Sequence, residues 1–144
     1  MKRLTTFTII WLLTACSSFV RVPEITSTHS IPNKEKHEIY VLTLSWLAEN
    51  AGNSKSFIMV QDPKSGRIVG SGNVFAKPYN NPVSTYDMVI DTKKAGVRIQ
   101  YINIIDHSTS SLRKEKAINR ARKHFTAQTA GLINYLKKNS TKDW

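Results

Sequence analysis

Asp106-His107-Ser108 places three residue types of a nucleophilic hydrolase side by side. Such chemistry needs a nucleophile within hydrogen-bond reach of a base, and a third group to orient the base. Neighbours in sequence rarely point at one another, so the trio as it stands does not make a relay. The other histidines are His29, His37 and His124. None forms a ligand spacing such as H-x₃-H with a second histidine or acid, so no metal centre and no cofactor is expected. Gly66, Gly70 and Gly72 follow a turn and open no helix, which excludes a phosphate-cradling loop. The only cysteine is Cys16, which allows neither an internal disulfide nor a thiolate metal cluster.

Cys16 has a chemistry of its own. Lys2 and Arg3 precede a run from Leu4 to Leu13 that is mostly Leu, Ile, Phe, Trp and Thr. A positive start, an apolar stretch of about ten residues and small residues at the end describe a secretory signal peptide. The run is too short to span a bilayer, which takes about 20 apolar residues. Leu13-Thr14-Ala15-Cys16 resembles a bacterial lipobox, in which the thiol takes a diacylglycerol and the cysteine becomes the first mature residue. That resemblance implies a lipid (palmitate-type) anchor at Cys16. Each buried CH₂ of such an anchor contributes about 0.8 kcal/mol, and two or more chains hold where one barely does. Ser17 and Ser18 follow, with no aspartate to signal retention at the inner membrane. By resemblance to enterobacterial sorting, the expected address is the outer membrane, facing the periplasm.

Charge narrows the partners. The full chain carries a formal +11 with a pI near 10.0, and removal of residues 1–15 takes away two cations and no anion. A basic domain invites a nucleic-acid reading, but export argues against it. Anionic lipid headgroups, an acidic protein or an acidic glycan suit both charge and address better. Hydrophobic content of 40% and aromatic content of 9% point to a folded domain, not a disordered one.

The elements follow from periodicity. Residues 16–32 are rich in Ser, Thr and Pro and are expected to be a flexible tether with the lipidated cysteine at its head. Fully extended, such a segment reaches roughly 55 Å. A short strand near Val20–Ile25 is compatible with it, and Pro23 would confine that strand to a sheet edge. Pro32 and Asn33 mark a helix start, and Ile39, Leu42, Trp46 and Leu47 recur at helical spacing to about Ala51. Strands are expected at Ser56–Gln61, Arg67–Phe75, Ser84–Asp91 and Val97–Ile105. A turn at Asp62-Pro63-Lys64-Ser65-Gly66 joins the first pair. In the last strand Val97, Ile99, Tyr101 and Ile105 are expected on one face, opposite Arg98, Gln100 and Ile102. A final helix runs from a cap at Ser110 or Ser111 to about Lys138, with Ile118, Ala121, Phe125, Leu132, Ile133 and Leu136 as its buried stripe. Residues 33–140 therefore form a single α+β domain. It is a two-layer sandwich of a four- or five-stranded antiparallel sheet, in the order helix, β-meander, helix, with both helices on one face.

Several stretches carry a resemblance. They are Ser45-Trp46-Leu47-Ala48-Glu49-Asn50, Ser54-Lys55-Ser56, Gln61-Asp62 and Gly66-Arg67-Ile68-Val69-Gly70-Ser71-Gly72. Tyr86-Asp87-Met88-Val89-Ile90 and Val97-Arg98-Ile99-Gln100-Tyr101 belong with them. With the final helix, from about Ile25 to Lys138, they resemble a bacterial domain-of-unknown-function family described as having a TBP-like fold. That family is common in small secreted proteins and lipoproteins. The resemblance implies the fold and the address and brings no active site. A TBP-like shape does not entail DNA binding.

The surface feature of most interest is the last helix. Arg113, Lys116, Arg120 and Lys123 fall at i, i+3, i+7 and i+10, on a face apart from the apolar stripe, with Lys114 and Arg122 beside them. Like charges at such spacing repel, which makes these four the candidate partner-binding residues. The expected function is a non-enzymatic envelope lipoprotein, a tethered domain that binds another envelope component. The rival is an envelope hydrolase acting on cell-wall or lipid substrates through residues such as Asp106 and His107.

Overall fold

The computed structural model describes residues 19–54, 57–76, 81–107 and 114–139. In chain order they form β1 (Val20–Arg21), β2 (Ile25–Ser30), α1 (Lys36–Ser54), β3 (Phe57–Asp62), β4 (Arg67–Ala76), β5 (Asn81–Lys93), β6 (Gly96–Asp106) and α2 (Lys114–Lys138). The strands make one antiparallel sheet in the order β1-β6-β5-β4-β3, with β2 also paired to β6. Both helices cover one face, which is the α+β two-layer architecture expected, with six strands in place of four or five.

The edge strand allowed near Val20–Ile25 is present and continues to Ser30, which shortens the expected tether. β1 pairs Val20 with Asp106, and β2 runs in register from Ile25 opposite Tyr101 to Ser30 opposite Gly96. Between them the Val22 N–H donates to the Ile104 carbonyl at 2.9 Å. Pro23, which follows, has no N–H to offer. Residues 20–30 are thus one edge strand interrupted at a proline, and His29 belongs to that strand. Its sequence is polar because only every second residue faces the helices: Ile25, Ser27 and His29 are partly covered while Thr26, Thr28 and Ser30 are exposed. Threonine and isoleucine suit such a half-covered strand well.

Two of the three hairpins of the meander are closed by specific described residues. Asp62 accepts from the backbone N–H groups of Lys64 and Ser65, and Gly66 N–H donates to the Asp62 carbonyl at 2.8 Å. Gly66 has φ 80, and a Cβ there would lie 2.5 Å from Thr92 Oγ1. Only glycine fits. At the other hairpin Lys93 pairs with Gly96, and Ala95 takes φ 56. Ala95 is held there by two bonds, from its N–H to the Lys34 carbonyl and from the Ile31 N–H to its own carbonyl.

α1 begins at Lys36, later than Pro32 and Asn33 suggest. Asn33 has φ 63 and serves a turn, a conformation asparagine tolerates. From α1, Ile39, Tyr40, Leu42, Trp46 and Leu47 are buried, against Ile68 and Val74 of β4, Tyr86, Met88 and Ile90 of β5, and Val97, Ile99 and Tyr101 of β6. Gly70 and Gly72 lie on this same covered face, which α1 packs against. α2 buries Ala117, Ala121, Phe125, Thr129, Leu132, Ile133 and Leu136, with Ile118 half-buried. The Phe125 ring stacks on Tyr101 at 4.2 Å between centroids and meets Tyr86 edge-on at 4.8 Å. These contacts fix the rotation of α2 on the sheet.

One facing assignment needs correction. Ile104, not Ile105, completes the buried row after Tyr101. Asn103 adopts φ 51, and the β5–β6 register shifts between Thr85 and Asp87. The extra residue reverses the alternation from that point on.

Candidate functional site

α2 is a long helix whose cations are unevenly placed. Lys114, Lys116, Arg120, Arg122 and Lys123 crowd its first three turns with Glu115 as the sole acid there, and residues 124–136 contain no Lys, Arg, Asp or Glu. The apolar stripe dictates which of them face out. With Ala117, Ala121 and Phe125 turned to the sheet, Lys116 and Lys123 lie on the outward side, both exposed. Arg120 and Arg122 flank them.

The two flanks differ. Arg120 turns back to the sheet, where its Nη1 stands 3.6 Å from Oδ2 of Asp106. Asp106 is 1% exposed and also accepts from Ser84 Oγ at 3.0 Å. A carboxylate that deep in the fold stays charged only with such partners, so Arg120 has structural work in this domain. Arg122 borders a shallow cavity of about 380 Å³ together with Val22, Pro23, Glu24 and Ile118. Among the described residues Lys114, Lys116, Arg122 and Lys123 are the cations of α2 left exposed at this end. Arg113 and Cys16 lie outside the described residues.

The same end receives the N-terminal edge of the sheet. Val20 pairs with Asp106, the residue Arg120 holds, and Val22 lies beside Ile118 and Arg122 across the cavity. Phe19, the first described residue, is 55% exposed. The basic turns of α2 and the point where the chain enters the fold are therefore neighbours.

The hydrolytic trio does not assemble. Asp106 points into the fold, whereas His107 is exposed and its backbone N–H bonds the Val83 carbonyl at 2.8 Å. Ser108 lies outside the described residues. Among the described residues no group of three His, Cys, Asp or Glu side chains is placed to hold a metal ion. His37 stands near the start of α1, while His29 and His124 each bury an Nε2 without a hydrogen-bond partner. Burial holds the His124 imidazole below its usual pKa. His29 borders a second cavity of about 340 Å³, between β2 and α2, lined mainly by Ile25, Phe125, Thr129 and Ile133.

The uncovered face of the sheet is organised by two aspartates of β5. Asp91 accepts from Arg67 of β4 and Arg98 of β6, and Asp87 accepts from Ser71 of β4 and Asn103 of β6. The Arg67 bond, then that from Arg98, holds the Asp91 carboxyl below the ordinary carboxylate range. On this face, Arg67 and Arg98 are thus each paired with Asp91. Among the described residues no helix is long and apolar enough to cross a membrane.

A family model described as a domain of unknown function (DUF4468) with TBP-like fold matches residues 26–105. The match covers β2 to β6 and α1 and stops short of α2, so it is narrower than the Ile25–Lys138 span of the sequence resemblance. A crystal structure of a DUF4468 family protein from Bacteroides ovatus is 14% identical, with a TM-score of 0.65 over 82% of this chain and 88% of that one. A TBP-like protein from Parabacteroides distasonis is 17% identical, with a TM-score of 0.58 over 80% of this chain and 92% of that one. At these identities the likeness establishes the fold alone. Among curated proteins none matches.

Proposed function

The chain belongs to the DUF4468 family, domains of unknown function with a TBP-like fold, and on that premise we propose that it is a cell-envelope lipoprotein. It is anchored through Cys16 and acts by binding another envelope component, not by catalysis. The observation that carries the reading is the lipobox-like Leu13-Thr14-Ala15-Cys16 behind a positive, apolar N-terminus, and the short distance from Cys16 to the fold agrees with it. Val20, already paired in the sheet, is four residues after Cys16, and four residues span at most about 14 Å. A domain so close to its anchor stays at the membrane surface, whereas a tether to residue 32 would let it range some 55 Å. The lipobox supplies the anchor and the positive signal region supplies export.

The hydrolase alternative draws no support from Asp106, which is sealed between Ser84 and Arg120. The test of the lipoprotein reading is metabolic labelling with a radioactive or clickable palmitate in a bacterial host, followed by membrane fractionation. The expected result is label and membrane retention in the wild-type chain, both lost in Cys16→Ser. An unlabelled wild-type chain released in soluble form would end the reading. A cross-linking comparison of the same two chains, read by mass spectrometry, then identifies what the anchored form contacts.

A further inference from the structure

We propose that the basic end of the domain, where the first turns of α2 meet the entry of the chain, docks on the anionic lipid headgroups of the membrane that holds the anchor. This rests on the lipoprotein reading for its setting and deepens it by naming the partner.

Three observations carry it. The first is the position of the charge along α2. Cations suit a helix C-terminus, where they meet the negative end of the macrodipole, and are disfavoured near the N-terminus. Lys137 and Lys138 obey that rule, but Lys114, Lys116, Arg120, Arg122 and Lys123 gather in the opposite end. Arg120 sits four residues from Lys116 and three from Lys123, spacings at which like charges repel. Arg120 has an internal reason to be there in Asp106. Lys116 and Lys123, on the outward side, need an external one.

The second is adjacency. Arg122 shares a cavity wall with Val22 and Pro23, and Asp106, the partner of Arg120, pairs with Val20. The cationic surface is therefore at the same end as the segment that leads to Cys16. A partner elsewhere in the envelope would place no demand on which end carries the charge. A bilayer reached through a short leader does.

The third is composition of the surface at that end. Phe19 is exposed just before Arg21, also exposed, on the edge strand that enters at this end, and an apolar side chain close to cations is the pairing that interfacial segments use at the headgroup layer. Each cation near an anionic surface strengthens binding about fivefold, and an acyl anchor with a basic patch is a two-signal arrangement.

The test uses the chain from residue 16 onward carrying Cys16→Ser, which keeps every described residue and has no acyl group. Its sedimentation with vesicles of phosphatidylcholine is compared with that on vesicles also containing phosphatidylglycerol. Binding is expected only with the anionic lipid, and it should weaken as ionic strength rises and the Debye length falls from about 30 to about 8 Å. Lys116→Gln, Arg122→Gln and Lys123→Gln combined should lower partitioning on the order of 100-fold. Lys137→Gln with Lys138→Gln, about 20 to 30 Å away along the helix, should leave it nearly unchanged, with circular dichroism confirming that both variants fold. Equal binding to neutral vesicles, equal losses in both variants, or no binding at low salt would each overturn the proposal; in the last case an acidic protein or glycan becomes the partner to seek. The acyl group takes no part, so such a failure leaves the anchor intact, and a chain without palmitate leaves the vesicle result standing.

Discussion

Arg98 of β6 grips Oδ2 of Asp91 on β5 with two nitrogens, Nη2 at 2.6 Å and Nε at 3.2 Å. From the other side Arg67 of β4 donates its Nε to Oδ1 at 2.6 Å. One carboxylate thus laces three adjacent strands on the face that no helix covers. Four residues along the same strand, Asp87 repeats the device with the neutral donors Ser71 and Asn103. The two aspartates thus tie β4, β5 and β6 together by side chains as well as by backbone pairing.

The Asp91 clamp makes an acid-pH prediction. Its carboxyl lies below the usual range because of the Arg67 bond, then that from Arg98. A carboxylate with a depressed folded pKa stabilises above its unfolded pKa of about 4, and that contribution is lost as pH falls through the folded value. Both arginines are half-exposed, so solvent screening limits the clamp to about 1 kcal/mol. Asp91→Asn should cost about that much at neutral pH and flatten the acid limb of a urea-denaturation series below about pH 4. An unchanged acid limb would assign it to another group.

Ala95 offers a stabilising change. A left-handed conformation costs an L-residue about 1–2 kcal/mol, and glycine avoids that cost while losing some chain entropy. Ala95, at φ 56, is fixed by bonds to Lys34 and Ile31 that involve only backbone, so they survive substitution. Ala95→Gly should raise stability by about 0.5–1 kcal/mol, measured as a shift in denaturation midpoint without a change in slope. A loss would mean that the Ala95 methyl contributes packing.

What could be read from the chain depended on how regular each element is. The meander and the apolar stripes of both helices follow clear alternation and helical spacing, and the structure keeps them nearly residue for residue. Asn103 broke the pattern because one residue in the left-handed region flips every side chain after it, and the only signal in advance is an asparagine inside an otherwise apolar strand. Residues 20–30 looked like a tether since an edge strand at the margin of the helix layer can present Ser27 and His29 inward. In the candidate site, the crowding of cations was legible in the sequence. The inward turn of Arg120 was not, because its partner Asp106 is close only once α2 has folded back over the sheet.

His124 predicts a second pH dependence, of opposite chemical origin. It packs against Tyr86 and Phe125, and burial holds its imidazole below the usual pKa of about 6.5. The unfolded chain then binds the proton more readily than the folded one. Stability is complete above about pH 6.5 and falls as pH drops towards the folded pKa. His124→Gln should flatten this decline as pH falls below about 6.5, above the unfolded carboxylate range near 4 at which the Asp91 contribution begins to be lost. A decline of the same size in the variant would remove His124 from the account.

Arg120 and Lys116 allow the structural and the surface cations to be separated by stability alone. Arg120→Ala leaves Asp106, 1% exposed, with Ser84 but without its ion-pair partner. Loss of the ion pair to a carboxylate at that depth should cost about 2 kcal/mol. Lys116 is exposed at the start of α2, and Lys116→Ala should change stability by less than about 0.5 kcal/mol. In an Asp106→Asn background the Arg120→Ala cost should shrink, since no buried charge remains to be left unpaired. Equal costs in both backgrounds would show that Arg120 acts through packing of its aliphatic stem. The cation that sequence spacing groups with the partner-binding face would still belong to the fold, while Lys116, Arg122 and Lys123 stay exposed on the surface.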